Sequence, residues 1–527
     1  MPEEGTEKAE QNHRLMGPRA ALSVANSVIG AILGTAALVF IAKNMGPDAL
    51  GVLGYAMATI GILSFFSDFG VGSVHILHIK SGEDVGKCVG AYAAIRLVLL
   101  GIFAVITIAL IEVWRNGWMG GNMPITHSMA DAMYVFLVYY FLMGICQIAT
   151  HTFDAQDKVA AVYVPSILEI VVRVSFIIYV ATSAYSSSDQ GPALLASAYT
   201  AGIVFSTLLA AFFMADTKIR KPDRAVMMKY IRSLAPVFIV SMVIILDLYL
   251  DKAVVGYFWG QGELGLYFGV QKMAIFVGVF SLSVATLILP SVTTYMFRKD
   301  SAATWDIVNQ AERYVSLVVI PTAAFYLLFG TEILEVFLKH DFVSVVRTMD
   351  VLVISSTVLA LVLPLRSIIA GTGRPAMLFW VGMGGLLLQF VLMLFLVPDE
   401  LFGVKMFGLK SMGAALAVFV GSIYYFFLLR YMAWKTGHIM PYSRSSRHVV
   451  AAAVMVAAMY IVHWLFIPSI DWIALIVLAI VGIFAYSVSA YLLGEADASD
   501  YRYLRSLLNP RGSIEYVVNE LLGKRAH

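Results

Sequence analysis

Charge is what this 527-residue chain has least of: Lys, Arg, Asp and Glu make up 13% of it, against about a quarter in a typical soluble domain. With 60% hydrophobic residues, that scarcity excludes a water-soluble globule and predicts an all-α polytopic membrane protein. The formal net charge is +2, and the basic residues stand in short clusters between apolar runs, which excludes a nucleic-acid partner. Two cysteines, Cys88 and Cys146, each in or beside an apolar run, suggest neither a disulfide framework nor a metal site. His75 and His78 have no further ligand at metal-binding spacing. P-loop, zinc-hydrolase and nucleophile-elbow patterns are missing, so nothing reads as an ATP-driven pump, and neither a cofactor nor an enzymatic activity is expected. Long polar stretches are missing too: the connections around Trp114–Ala130, Ala215–Lys229 and Thr331–Met349 leave no room for a soluble domain. The polar first seventeen residues precede an apolar run too long for a signal-peptide core, so this segment should stay attached.

What is abundant is apolar length. Windows of about 20 residues predict fourteen spans, near 18–43, 50–79, 85–113, 130–150, 159–184, 191–214, 233–257, 264–296, 306–329, 349–369, 375–397, 410–433, 448–467 and 471–493. Lys and Arg gather on alternate connections, densest in Lys218, Arg220, Lys221, Arg224, Lys229 and Arg232, whereas the other side holds only Lys43, Arg115, Lys339, Arg347, Lys405 and Lys410. The positive-inside rule then puts both termini in the cytoplasm and the chain in the cell membrane.

An internal repeat divides the chain. Gly46-Pro-Asp-Ala-Leu50-Gly51 returns 214 residues later as Gly260-Gln-Gly-Glu-Leu264-Gly265. Ala155-Gln-Asp-Lys158 answers Gly371-Thr-Gly-Arg374, and Arg96 answers Arg313. Six spans separate the copies, so the two halves enter the membrane alike, related by an axis along the membrane normal. The expected layout is a cytoplasmic tail (1–17), an N-lobe (18–214), a basic linker (215–232), a C-lobe (233–434), two further spans (448–493) and a cytoplasmic tail (494–527). In that tail Leu504, Leu507 and Leu508, then Ile514, Val517, Val518, Leu521 and Leu522, fall at helical spacing around Asn509-Pro510. They predict two short amphipathic helices, lying on the inner membrane surface or capping the bundle.

Charges inside spans are the candidate functional groups, since each costs about 2.5 to 3.5 kcal/mol at the bilayer centre on the translocon scale. Arg96, Arg173, Lys252, Lys272, Arg313 and Arg366 stand against Asp68, Glu169, Asp247 and Asp251. A polar cavity between lobes would accommodate them. Glu169 and Arg173, at i and i+4, could bind or simply neutralise each other. Asp247 and Asp251 share a face, and Lys252 can neutralise only one, which makes Asp247, Asp251 and Glu169 the ion-coupling candidates. Alternatively Asp251 and Lys252, ~22 Å along the helix from Pro236, lie at the outer interface. Arg96 and Arg313 lack an acid at i±3 or i±4, and an unpaired guanidinium in a cavity invites a phosphate; Arg313 could also snorkel. Arg96, Arg313, Arg173 and Lys252 are thus the candidate phosphate-binding set, while Lys272 and Arg366 are expected at interlobe or interfacial contacts. Asp68-Phe-Gly70-Val-Gly72 should break span 2 as a hinge, and Pro236, Pro290, Pro321 and Pro364 should bend the second half.

Asp251-Lys252, Gly265-Leu266-Tyr267 and Lys272, with Asn26-Ser-Val-Ile-Gly30, Asp68-Phe-Gly70, Gly371-Thr-Gly-Arg374-Pro375 and Thr331-Glu-Ile-Leu334, resemble the polysaccharide-export flippases of the multidrug/oligosaccharidyl-lipid/polysaccharide exporter superfamily. The resemblance, over spans 1 to 12, implies two six-helix bundles opening alternately to either side, a polyprenyl-phosphate- or diphosphate-linked sugar as cargo, membrane lipids as surroundings, and pathway glycosyltransferases or a polymerase as partners of a monomer. Fourteen spans resemble the lipid II flippases, where the last two helices border a groove for the lipid tail; only the count carries that expectation. A cation-coupled multidrug antiporter of the same superfamily should favour acids in its cavity, whereas cations outnumber acids here. A membrane-embedded glycosyltransferase or polymerase would need a substantial loop bearing catalytic acids.

Overall fold

A computed structural model of the chain describes residues 2–116, 126–279, 281, 301–371, 375–437, 442, 444–467, 469–495 and 520. Helices begin where a short polar side chain takes up a first-turn amide: Asp84 accepts from Lys87, Thr126 from Met129, Asp223 from Val226 and Asp471 from Ala474. From such starts the apolar runs continue as helices, the form that satisfies its own backbone in lipid. In chain order they are α1 (Pro2–Leu63), α2 (Phe65–Asp68), α3 (Val71–Lys80), α4 (Val85–Arg115), α5 (His127–Ala155), α6 (Val159–Thr182), α7 (Gly191–Met214) and α8 (Arg224–Ile275). Then follow α9 (Ser301–Leu328), α10 (Gly330–Phe337), α11 (Val346–Gly371), α12 (Pro375–Leu396), α13 (Lys410–Gly437), α14 (Ser445–Phe466) and α15 (Trp472–Leu492). One antiparallel hairpin, β1 (Glu400–Leu401) with β2 (Val404–Lys405), joins α12 to α13.

The protein is a multi-pass membrane protein. Among the described residues eleven helices are long and apolar enough to cross a membrane, or twelve if Arg224–Leu234 and Val237–Gly278 count as one bent span. The expected fourteen do not appear as separate helices: span 1 and the first part of span 2 share α1 across the break at Gly46, the rest of span 2 forms α2 and α3, and span 7 and the start of span 8 share α8 across the break at Gly260. Residues 282–296, the expected end of span 8, lie outside the described residues. The 53° bend between Leu234 and Val237 falls at Pro236. Pro321 and Pro364 sit within α9 and α11; Pro290 and the Thr372–Arg374 part of the repeat motif lie outside the described residues.

At about 1.5 Å per residue, α1 and α8 each outrun the roughly 30 Å hydrocarbon layer, and each is broken by one glycine. Gly46 (φ 78°, ψ −176°) and Gly260 (φ 78°, ψ −172°) take nearly the same left-handed conformation, which a residue with a β-carbon resists. These are the matched positions of the sequence repeat. The breaks pack on one another at one end of the bundle: Leu50 and Leu264 are fully buried there, in one core with Tyr55, Tyr267 and Phe268.

At the other end of the bundle, the basic linker lies across the start of α4. The Arg220 amide donates to the Gly86 carbonyl at 3.0 Å, and a β-carbon at Gly90 would come within 2.0 Å of the Arg220 carbonyl. Ion pairs flank this contact: Lys87–Asp223 (2.9 Å), Arg220–Asp84 (2.9 Å) and Lys229–Glu83 (2.8 Å). The expected tail helices lie outside the described residues, apart from Glu520, whose carboxylate accepts from the Ala160 and Ala161 amides at the start of α6 (2.8 and 3.1 Å).

Candidate functional site

A cavity of about 230 Å³ lies among α1, α6, α7 and α8. α1 contributes both sides of its glycine break, Gly30, Gly34, Thr35 and Leu38 before it and Leu50 and Leu53 after; α6 brings Arg173, α7 Tyr199, and α8 Phe268, Lys272 and Ile275. Among the described lining residues the basic side chains are Arg173 and Lys272, and there is no carboxylate.

Arg173 is held by its own helix and by the next. Its Nε stands 3.0 Å from Glu169 Oε1, but the two are not aligned as a hydrogen bond, and the guanidinium lies over the Tyr199 ring, 4.8 Å from its centroid. Gly202 lets α7 approach this pair, since a β-carbon there would meet the Glu169 carbonyl at 2.9 Å. The Glu169–Arg173 pair read from spacing therefore exists, and its Arg173 member lines the cavity. Lys272 lies where α8 of the second half meets α1, α6 and α7 of the first; its ammonium sits 5.3 Å from the Phe268 ring centroid, open to the cavity and within electrostatic reach of Lys252 and Arg173. Sequence spacing missed Lys272 as a site residue because Arg173, which shares the cavity with it, comes from α6.

Lys252 and Asp251 are neither at a solvated interface nor free to bind. Both are buried, and Lys252 Nζ donates to Asp251 Oδ1 (2.9 Å) and to the Leu248 carbonyl (2.8 Å). The Tyr267 hydroxyl donates to Asp251 Oδ2 at 2.8 Å, and the Gln271 amide donates to the same oxygen. This network braces the two arms of α8 on either side of Gly260. Lys252, read as a phosphate-binding candidate, and Asp251, read as an ion-coupling candidate, are thus bonded to each other in this structure. Asp247, one turn earlier, is open and faces Arg366 and the Gln389 amide.

Arg96 and Arg313 are not the unpaired guanidinium groups that their own helices suggest. Arg96 is 1% exposed; it donates to Asp68 Oδ1, to Gln147 Oε1 and, at 3.3 Å, to the Gly144 carbonyl. Asp68 comes from α2, where i±4 reasoning along α4 cannot see it. Arg313 donates to the Glu495 carbonyl at 2.8 and 3.3 Å. Glu495 in turn meets Arg447 (3.1 Å) and the Tyr442 hydroxyl, while Glu312 takes Arg430 (2.8 Å) and the Tyr442 amide (3.0 Å). These bonds fasten the ends of the α14–α15 hairpin to α9, with Arg313 as one of the ties.

The break in span 2 falls at Phe69 (φ 46°) and Gly70 (φ 78°). Gly72 is inside α3, and a β-carbon there would lie 2.3 Å from the His151 ring, so it serves close packing instead of a hinge. His75 is fully buried, its ring nitrogens bonded to the Tyr230 and Thr152 hydroxyls at 2.9 Å each. Among the described residues no cluster of His, Cys, Asp and Glu could hold a metal ion.

The fold is shared with solved transporters. A lipid II flippase, MurJ, in an inward closed conformation superposes with a TM-score of 0.68 at 15% identity, over 89% of this chain and 98% of that one. An inward-facing multidrug resistance transporter of the MATE family, in the MOP superfamily, gives 0.63 at 12% identity, over 79% and 98%. A probable low-salt glycan biosynthesis flippase of Haloferax volcanii, Agl15, is 22% identical over 333 residues, 61% of this chain. The match spans 64% of that relative's length. A sequence model of polysaccharide biosynthesis proteins matches residues 20–296, more than half the chain. With the helical fold and the broken-helix core agreeing, the chain belongs to the polysaccharide biosynthesis protein family.

Proposed function

We propose that the protein is a flippase, moving a polyprenyl-phosphate- or diphosphate-linked oligosaccharide or polysaccharide precursor across the cytoplasmic membrane by alternating access. The observation that carries this reading is the cavity wall, where Arg173 and Lys272 supply positive charge and no described lining residue supplies an acid. A phosphate in that space would replace water around two cations whose neighbours only partly neutralise them. A cationic drug would meet repulsion there, which weighs against the multidrug antiporter. The named function of the Haloferax volcanii relative and the family of the chain agree with a saccharide cargo. The protein acts as a transporter, without a chemical step of its own.

In this reading residues 18–214 and 233–434 are the two lobes, with the 215–232 linker and both termini in the cytoplasm and 448–493 as an added helical pair. The matched glycine breaks support the lobes, and the Lys and Arg distribution supports the orientation. Asp247 matters only if a cation is coupled. The chain works as a monomer, beside the glycosyltransferases or polymerase that make and use its cargo. The test is replacement of the two cations. Arg173→Gln and Lys272→Gln, each purified and placed in liposomes, should lose lipid-linked sugar movement while remaining folded. Full movement in both variants would put the phosphate contact elsewhere.

A further inference from the structure

The connection between α12 and α13 carries more exposed apolar surface than a water-facing loop has use for. Phe402 is 96% exposed at the tip of the hairpin, Phe407 70% and Val404 58%. Strand geometry sorts the side chains: Leu401 pairs with Val404 and Glu400 with Lys405, so one face is apolar and the other charged. Phe402 and Gly403 form the two-residue turn with positive φ (52° and 80°), where Asn, Asp or Gly is the usual choice. A bulky aromatic ring in that position is not explained by the turn.

Backbone bonds fix how deep this segment lies. The Phe407 amide donates to the Phe395 carbonyl at 3.1 Å and the Leu409 amide to the Leu396 carbonyl at 2.8 Å. The segment that follows β2 is therefore laid along the last turn of α12 instead of standing off in solvent. Phe395 is itself 49% exposed on the side of a membrane-crossing helix. The Trp259 indole donates to the Val397 carbonyl at 2.8 Å, and Lys410 Nζ stands 4.6 Å from the Trp259 ring centroid. A Trp and a Lys at one level are the groups that settle at the boundary between hydrocarbon and water.

We infer that this hairpin is a lipid anchor: its Leu401–Val404 face, with the exposed rings of Phe402 at the tip and Phe407 beyond β2, inserts into the leaflet on the side of the Gly46 and Gly260 breaks. The occupant is the bilayer because the apolar face continues the lipid-facing wall of α12 and because the charged face of Glu400 and Lys405 is turned the other way. The anchor holds the ends of α12 and α13 at one depth while the helices around them move.

The experiment places a nitroxide on Phe402→Cys, Phe407→Cys, Glu400→Cys and Lys405→Cys, one at a time, in the full chain in phosphatidylcholine/phosphatidylglycerol vesicles. Cys88 and Cys146 are buried, and the unsubstituted chain is the blank. Collisions with oxygen should exceed those with a water-soluble nickel chelate severalfold at 402 and 407, with the order reversed at 400 and 405. Bimane on Phe402→Cys, a tip position whose replacement disturbs no packing, should be quenched by brominated lipid. Nickel access above oxygen access at 402 and 407 would overturn the anchor in favour of a solvated loop. Shielding of both positions from both reagents would overturn it in favour of a protein contact.

Discussion

A β-carbon on Gly265 would lie 1.8 Å from the carbonyl oxygen of Pro47. Gly51 stands in the same relation to Gln261, also at 1.8 Å. The two breaks of the repeat thus cross backbone against backbone, and this contact closes the end of the bundle opposite the linker.

Gly265→Ala should force that seam apart. Overpacking at such a site costs about 1–3 kcal/mol, so the variant should unfold at lower temperature. The distance between spin labels at Asp48 and Glu263 should lengthen. An unchanged distance with unchanged stability would mean that the seam yields without opening.

Asp68, partly exposed, pairs with the buried Arg96, and leaving that guanidinium without its partner should be expensive. Removing one partner of such a pair costs about 3–5 kcal/mol, so Asp68→Ala should depress thermal stability sharply, and Asp68→Leu with Arg96→Leu should recover much of it. Destabilisation by the double variant equal to that of the single one would argue that Arg96 has a task beyond the pair.

The linker clasp should loosen in acid and in salt. The Lys229 ammonium, bonded to Glu83, holds that carboxyl below the usual range, and the Val226 amide and then Lys87 do the same for Asp223. A carboxyl with a depressed folded pKa stabilises fully above its unfolded value, about 4, and the contribution is lost as the pH falls through the folded value. Protection of the Arg220 amide against hydrogen exchange, corrected for intrinsic rate, should therefore fall on acidification below about pH 4. High salt at neutral pH should lower it too, because these groups are exposed. Constant protection under both conditions would assign the linker's order to the Gly86 and Gly90 contacts alone.

The sequence made the membrane class, the repeat and the breaks at Gly46 and Gly260 readable, because length, hydropathy and glycine conformation are local properties. It also marked Glu169–Arg173, an i,i+4 pair within one helix. The partners of Arg96, Arg313 and Asp251 were not readable, since Asp68, Glu495, Tyr267 and Gln271 reach them across helix contacts or across a break. Lys272 was visible as a charge in an apolar run, but whether it faced lipid, a seam or a cavity depended on how α8 packs against α6 and α1. Pairing leaves Arg173 and Lys272 as the cations that line the described cavity.

The account rests most on what that cavity accepts. Purified protein in liposomes should move a polyprenyl-diphosphate sugar between leaflets, and Lys272→Glu should stop it; a cationic dye in the same vesicles should not be carried by the unsubstituted protein. Saturable, gradient-driven export of the dye with no movement of the lipid would contradict the flippase and point to a cation antiporter.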